Sequence, residues 1–294
     1  MAEYKKAKGE AVDYSGTLPP SWKRVVEVWL DEDVPNFDAG GYVVGDKEST
    51  AFLLGKSDGV LAGAPFFEAI FNHLGCKVEW LAEEGQKFEH ITHLATVSGP
   101  ARMILLGERT ALNAITRVSS IATRTRKAIE ISRSVEDFRG TIAATRKTTP
   151  GFRLMEKYGV LVGGGDMHRF CLSSMVMLKD NHCKSTGSIT KAVETARSVC
   201  GMYQKIEVEC STVEEAEEAL NVGADVVMLD NFTPEQLAAD AAYLKMRFPN
   251  CLIEGSGGIT IDSLRSFCVP GVDVLSMGSL IQGVPYVDIS LKLQ

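Results

Sequence analysis

The 294-residue sequence contains no C-x-x-C pair, no H-x-x-x-H pair and no run approaching the roughly 18 apolar residues that a membrane span requires. Its seven cysteines are odd in number. A zinc site, a disulfide framework and a spanning helix are therefore not expected, and unpaired thiols point to a reducing compartment. The opening stretch MAEYKKAKGEAVDY lacks the apolar core of a secretion signal. Internal repeats, low-complexity tracts and long linkers are missing too. These absences lead us to expect a cytoplasmic protein, with the nucleus also open to it, that engages no membrane.

Positive charge is scarce overall. The formal net charge is -7, which argues against a general nucleic-acid surface. Residues 141 to 184 run the other way: Arg146, Lys147, Arg153, Lys157, Arg169, Lys179 and Lys184 face only Glu156, Asp166 and Asp180, with His168 and His182 nearby. One cationic pocket in an acidic protein suits a small polyanion.

Hydrophobic residues make up 45% and charged residues 23%, ordinary for a globular chain with a large core. From about residue 140, β-branched runs alternate with amphipathic stretches, the sign of repeated βα units and a parallel sheet. Strands are expected at Thr141 to Thr145, Met175 to Lys179, Lys205 to Glu209, Asp225 to Asp230, Leu252 to Glu254 and Val272 to Ser276. Ser211 with Glu214 reads as a capping box, Gly223 as a helix stop, and Thr233-Pro234 as a cap followed by proline. A parallel α/β barrel closes such a pattern most simply. The first 110 or so residues read as a separate α/β domain, with strands at Gly41 to Val44, Val78 to Leu81 and Thr92 to Val97 and a helix near Pro65 to Leu74. A long helix over Arg102 to Ser132 joins the two. We divide the chain into an N-terminal domain, 1–115, and a barrel domain, 116–279.

Polar residues gather at the C-terminal end of nearly every expected barrel strand: Arg146-Lys147, Lys179, Glu209, Asp230, Ser256-Gly257-Gly258 and Met277-Gly278. That edge of a parallel barrel is its active-site face. Any one of them alone reads as a solvated loop or a cap; together they read as a site. The glycine pair Gly257-Gly258, ahead of an expected helix, offers backbone N–H groups to a phosphate, and Ser276-Met-Gly-Ser279 offers a second such turn. Glu209 and Asp230 end successive strands and suit ribose hydroxyls, a hard cation or a developing oxocarbenium charge. Of Glu207 and Glu209, one is expected to face away, and Glu209 is taken as the site residue. Glu214, Glu215, Glu217 and Glu218 read as a solvated helix face. An aldolase using Lys179 or Lys205 as a Schiff base is the competing enzyme class.

These residues carry a family likeness. Thr145-Arg-Lys-Thr-Thr-Pro-Gly-Phe-Arg153, Glu156-Lys-Tyr158, Val162-Gly-Gly-Gly165, His168-Arg-Phe170, Met177-Leu-Lys-Asp-Asn-His182, Glu207-Val-Glu209, Leu229-Asp-Asn-Phe232 and Ser256-Gly-Gly-Ile259 resemble quinolinate phosphoribosyltransferases. The likeness runs from about Trp29 to the C-terminus and looks closest to fungal members. It implies an open-sandwich N-terminal domain, to which a tail over 280–294 returns, and an incomplete α/β barrel. It also implies Mg²⁺, the substrates quinolinate and 5-phosphoribosyl 1-pyrophosphate, and a homodimer or a larger oligomer of dimers, up to a hexamer, with shared sites. By the same likeness Arg146, Lys147, His168, Arg169 and Lys179 surround the quinolinate carboxylates and the pyrophosphate. Glu209 and Asp230 hold ribose and metal; Ser256, Gly257, Gly258 and Gly278 bind the 5-phosphate. Thr145 and Met277 complete the substrate-binding set, and Arg109 enters from the neighbouring subunit. Lys147, Lys179, Glu209 and Asp230 are its catalytic members. Cys171 and Cys183 depart from the family pattern, which favours an acid or small residue at the first and an aliphatic at the second.

Overall fold

The computed structural model describes residues 12–294, so the reading of the opening stretch falls, for residues 1–11, outside the described residues. Two compact units interleave along the chain. One comprises the residues up to Arg126 with Thr149–Gly164 and Val284–Gln294; the other comprises Lys127–Thr148 and Gly165–Gly283. The division falls inside the 33-residue helix Ala101–Arg133.

In the first unit a four-stranded antiparallel sheet runs in the order Ile289–Leu293, Glu48–Gly55, Thr92–Pro100, Lys77–Trp80. The C-terminal strand therefore pairs with Glu48–Gly55, Leu53 opposite Leu291. Ala51 and Leu53 alternate with more exposed neighbours, the period of a half-buried strand. Helix Ala64–His73 turns Phe66, Phe67, Ile70 and Phe71 into the core beside that sheet. The expected strand Gly41 to Val44 is instead a short helix, Ala39–Val44. Asp38 accepts from the Gly41 N–H at 2.8 Å, and Gly45 at φ +73° ends the helix. Both are local helix signals that override the β-prone Tyr42-Val43-Val44.

Glu84 is buried and takes the N–H groups of Gly63 at 2.6 Å and Ala64 at 3.0 Å, at the start of helix Ala64–His73. Burial pushes its carboxyl up to about 7 against those two hydrogen bonds, from an ordinary 4.5. A raised carboxyl favours folding most below about 4.5 and loses that contribution as pH rises through about 7. Between pH 5 and 8 the wild type should therefore lose on the order of 3 kcal/mol relative to Glu84→Gln, which carries no such proton. Urea unfolding of the two proteins at each pH checks this; a difference that stays flat or grows in favour of the wild type contradicts it.

The second unit is built on a six-stranded parallel sheet in the order Thr141–Ala143, Val274–Ser276, Leu252–Ser256, Val226–Asp230, Ile206–Cys210, Val176–Leu178. Helices separate the strands, which makes the unit an incomplete α/β barrel. Thr233 accepts from the Gln236 N–H, and Gln236 returns to the Thr233 N–H, with Pro234 at the first helical position. The cap before helix Val213–Asn221 sits one residue later than expected. Thr212 accepts from the Glu215 N–H, and Glu215 reaches back to the Ser211 N–H. Lys147 and Lys179 follow the first and last strands of the sheet order, so they stand at its two edges rather than on neighbouring strands.

Candidate active site

Because the strands are parallel, their C-terminal ends lie on one side, and there the second unit holds a cavity of about 610 Å³. Thr145, Arg146, Lys147, His168, Arg169, Lys179, Glu209, Asp230, Ser256, Gly257, Gly258 and Gly278 all line it. Residues that follow both edge strands line one cavity, so the sheet is curved around it. Two expected site residues are elsewhere. Met277 is 1% exposed with its side chain in the core, because neighbours on a strand alternate and it is Ser276 and Gly278 that face the cavity. Arg109 lies in the first unit, lining a second cavity with Trp29, Glu32, Asp33 and Arg117.

The cationic window of the sequence also divides. Arg146, Lys147, Arg169 and Lys179 reach the cavity, whereas Arg153 and Lys157 belong to the first unit, Lys157 wholly buried. Lys184 is exposed and pairs with Asp180 at 3.1 Å. Glu156 of the same window is structural: it accepts from Nη2 and Nε of Arg117, at 2.8 and 3.1 Å, and from the Thr149 N–H and hydroxyl, each at 2.8 Å.

Two arginines share the cavity wall. Burial, then the charge of Arg146, hold the Arg169 guanidinium below its ordinary range. The Nη1 of Arg146 is buried and donates to no described residue. A buried guanidinium nitrogen without an acceptor is costly, and an anion entering the cavity supplies one. Lys179 pairs with Glu209, and Lys205, exposed and outside the cavity, has no place in the chemistry.

Glu207 overturns the expectation that it faces away from Glu209. Residues two apart on a strand point to the same side, and Glu207, wholly buried, lies on the inner face one layer deeper. Its carboxylate, that of Glu254 and the His168 ring bring their polar atoms within 4.8 Å of one another. Burial, then the Glu254 charge, push the Glu207 carboxyl well above its ordinary range. His168 Nε2 is 2.8 Å from Glu254 Oε2, and its N–H gives a 2.6 Å bond to Asp166. Its φ of +54° is unusual for a side-chain-bearing residue. Asn231, at φ +62°, gives its N–H to Ser256 at 2.9 Å and its amide to Asp230 at 2.6 Å.

Gly257, at φ +98°, admits no side chain, since a Cβ there would stand 2.3 Å from Asn231 Oδ1. The N–H groups of Gly257 and Gly258 donate to no other described residue, which leaves them for an anion. The helix expected to begin just after them starts only at Leu264 and has four residues, so the turn itself, not a helix terminus, would do the binding. Burial and then the Glu209 charge raise the Asp230 carboxyl. Two carboxylates crowded at successive strand ends, with oxygen ligands only, fit a hard divalent cation that keeps most of its water. Cys171 and Cys183 are free thiols and neither lines the cavity. Sequence reasoning gave no role to Glu254, Asn231 or Gln282, all of which line it, as does Ser276 of the second expected turn.

Residues 37–119 match the N-terminal domain of quinolinate phosphoribosyl transferase, and residues 121–292 match its C-terminal domain. A Rattus norvegicus protein named nicotinate-nucleotide pyrophosphorylase (carboxylating) is 50% identical over 277 residues, 94% of this chain and 92% of its own. A Homo sapiens protein of that name is 50% identical over 94% of this chain and 93% of its own. The solved structure of the nicotinate-nucleotide pyrophosphorylase from Francisella tularensis is similar at a TM-score of 0.88 and 32% identity, over 96% of this chain and 100% of that one.

Proposed function

Because the chain belongs to the quinolinate phosphoribosyltransferase family, we propose a mechanism in which its strand-end cations hold both anionic substrates while the substrates' own atoms react. The activity is transfer of a phosphoribosyl group from 5-phosphoribosyl 1-pyrophosphate to quinolinate with loss of CO₂, giving nicotinate mononucleotide for NAD biosynthesis. What carries the assignment of the cavity to this reaction is the unpartnered Nη1 of Arg146 beside the charge-crowded Arg169.

The pyridine nitrogen is already a nucleophile, which explains why the cavity needs no activated Ser or Cys. Arg146, Arg169 and His168 bind the two carboxylates and aim the nitrogen at the anomeric carbon. As the C–N bond forms, the bond to pyrophosphate breaks and the pyrophosphate departs with the electron pair. Lys147 and Lys179 meet the charge that develops on it. Thr145 and Gly278 flank Lys147, with Lys147 Cδ 3.2 Å from where a Cβ of residue 278 would lie. The Gly257–Gly258 turn and Ser256 take the 5-phosphate, and Glu209 and Asp230 face the ribose. Glu209 and Asp230 would hold Mg²⁺, which would supply charge neutralisation as the pyrophosphate departs. The alkylated ring is cationic and accepts the electrons of the C–CO₂ bond; a proton then replaces the lost carboxylate on that carbon. The cations must therefore orient this carboxylate without stabilising it too strongly.

Arg109 lines no part of this cavity, and we assign it to the cavity of a second copy of the chain in a homodimer or oligomer of dimers. Seven free cysteines suit a reducing, cytoplasmic setting, and among the described residues no helix is long and apolar enough to cross a membrane. Purified protein with Mg²⁺ should convert quinolinate to nicotinate mononucleotide. Lys147→Ala and Lys179→Ala should each lower kcat/KM by about 10² or more without unfolding the protein, since neither side chain builds the core. Near-normal kinetics in both variants would put the site elsewhere.

A further inference from the structure

Glu254 is 2% exposed on a central strand and belongs to none of the roles assigned above. A buried carboxylate is expensive unless something uses its charge. Its Oε2 meets His168 Nε2 at 2.8 Å, while its Oε1 accepts no hydrogen bond from a described residue. The His168 ring side chain is itself only 10% exposed, yet it lines the cavity, and Nδ1 makes no hydrogen bond among the described residues. From the other side Asp166 takes the His168 N–H at 2.6 Å and holds the backbone at φ +54°. His168 is thus fixed at two points, and Nδ1 is the single polar atom of its ring left for a ligand.

We propose that Glu254 is a positioning residue for quinolinate: by holding Nε2 of His168 it orients the ring and keeps a proton on that nitrogen, so that Nδ1 meets a substrate carboxylate. Held at Nε2 by a buried carboxylate, the ring keeps one bearing on the cavity, which a ring free to turn would not do reliably. Glu207 backs Glu254 from the neighbouring strand but one, and Arg169, Met177 and Asp230 complete the surroundings on the cavity side. The arrangement acts on one substrate only, because the turn for the 5-phosphate and the carboxylates for the ribose lie on other residues.

The inference rests on the reading that His168 binds a quinolinate carboxylate, and the experiment separates the two. Steady-state kinetics are measured for the wild type, His168→Ala, Glu254→Gln and the double variant, varying each substrate in turn. Glu254→Gln should raise KM for quinolinate by about tenfold to a hundredfold, the range of one charged hydrogen bond, and leave KM for 5-phosphoribosyl 1-pyrophosphate within about twofold. The double variant should be no worse than His168→Ala, since a residue acting through another contributes nothing once its partner is gone. If His168→Ala leaves KM for quinolinate unchanged, the reading of His168 fails. If His168→Ala raises it but Glu254→Gln does not, or if the two losses multiply, the positioning role fails. Equal effects on both substrates, or a fall in kcat alone, mark Glu254 as structural and also overturn it. Should Glu254→Gln not fold, Glu254→Asp, which withdraws the charge by one methylene, is read by the same split; folding in neither variant makes the residue structural.

Discussion

Nicotinate, offered in place of quinolinate, should be used at least roughly 10³-fold less efficiently by kcat/KM, although it presents the same nucleophilic nitrogen. The cavity gathers Arg146, Lys147, Arg169 and Lys179 around His168, more cationic groups than one carboxylate engages. Arg146 already holds a buried nitrogen with no acceptor, and Arg169 is destabilised by burial and by Arg146. With quinolinate both guanidinium groups gain an anion; with nicotinate the second carboxylate is missing and one cationic group stays desolvated and unpaired. Leaving a buried charge unpaired is far costlier than omitting an apolar contact, which is why such sites discriminate strongly. Competition between the two compounds at saturating 5-phosphoribosyl 1-pyrophosphate measures the ratio, and a ratio near one would refute the assignment of these cations to the substrate carboxylates.

The same residues explain what could and could not be read before the structure. Strand ends were legible, since a charge that follows a β-branched run stands out against an apolar background; Lys147, Lys179, Glu209 and Asp230 all reach one cavity for that reason. The layer beneath was not read, although strand parity contains it. Glu207 precedes Glu209 by two positions, as Glu254 precedes Ser256 and Met228 precedes Asp230, and each pair shares a face. Treating Glu207 and Glu209 as opposed hid the carboxyl pair under His168. A local count of cations misled in another way, because Arg153 and Lys157 lie in a segment that returns to the first unit. Nothing in a linear charge sum records such a return. The short helix Ala39–Val44 was missed where Asp38 and Gly45, its two boundary signals, were outweighed by β-prone neighbours. The cap at Thr212 slipped by one residue because Ser211-Thr212 and Glu214-Glu215 satisfy the same spacing twice.

Co-expressed Arg109→Ala and Lys179→Ala chains should recover activity that neither variant has alone. Arg109 is absent from the cavity that collects the other cations of its own chain, and it lines a different cavity with Trp29, Glu32, Asp33 and Arg117. If each working site takes Lys179 from one chain and Arg109 from its partner, each single variant disables every site in its homodimer. A mixed dimer holds one site with both residues intact and one site lacking both. Random pairing makes about half the dimers mixed, so activity should return to about a quarter of wild type per site. The chains must be unfolded together or co-expressed, since a folded dimer exchanges subunits slowly when its interface is large. Differently tagged chains allow the mixed dimer to be isolated, and it should then show about half the wild-type activity, because one of its two sites is whole. The recovery separates a shared site from two independent losses: in a dimer whose sites were each built within one chain, Arg109→Ala and Lys179→Ala would disable both sites of every pairing. Mixed dimers as inactive as their parents would therefore return Arg109 to its own chain's chemistry.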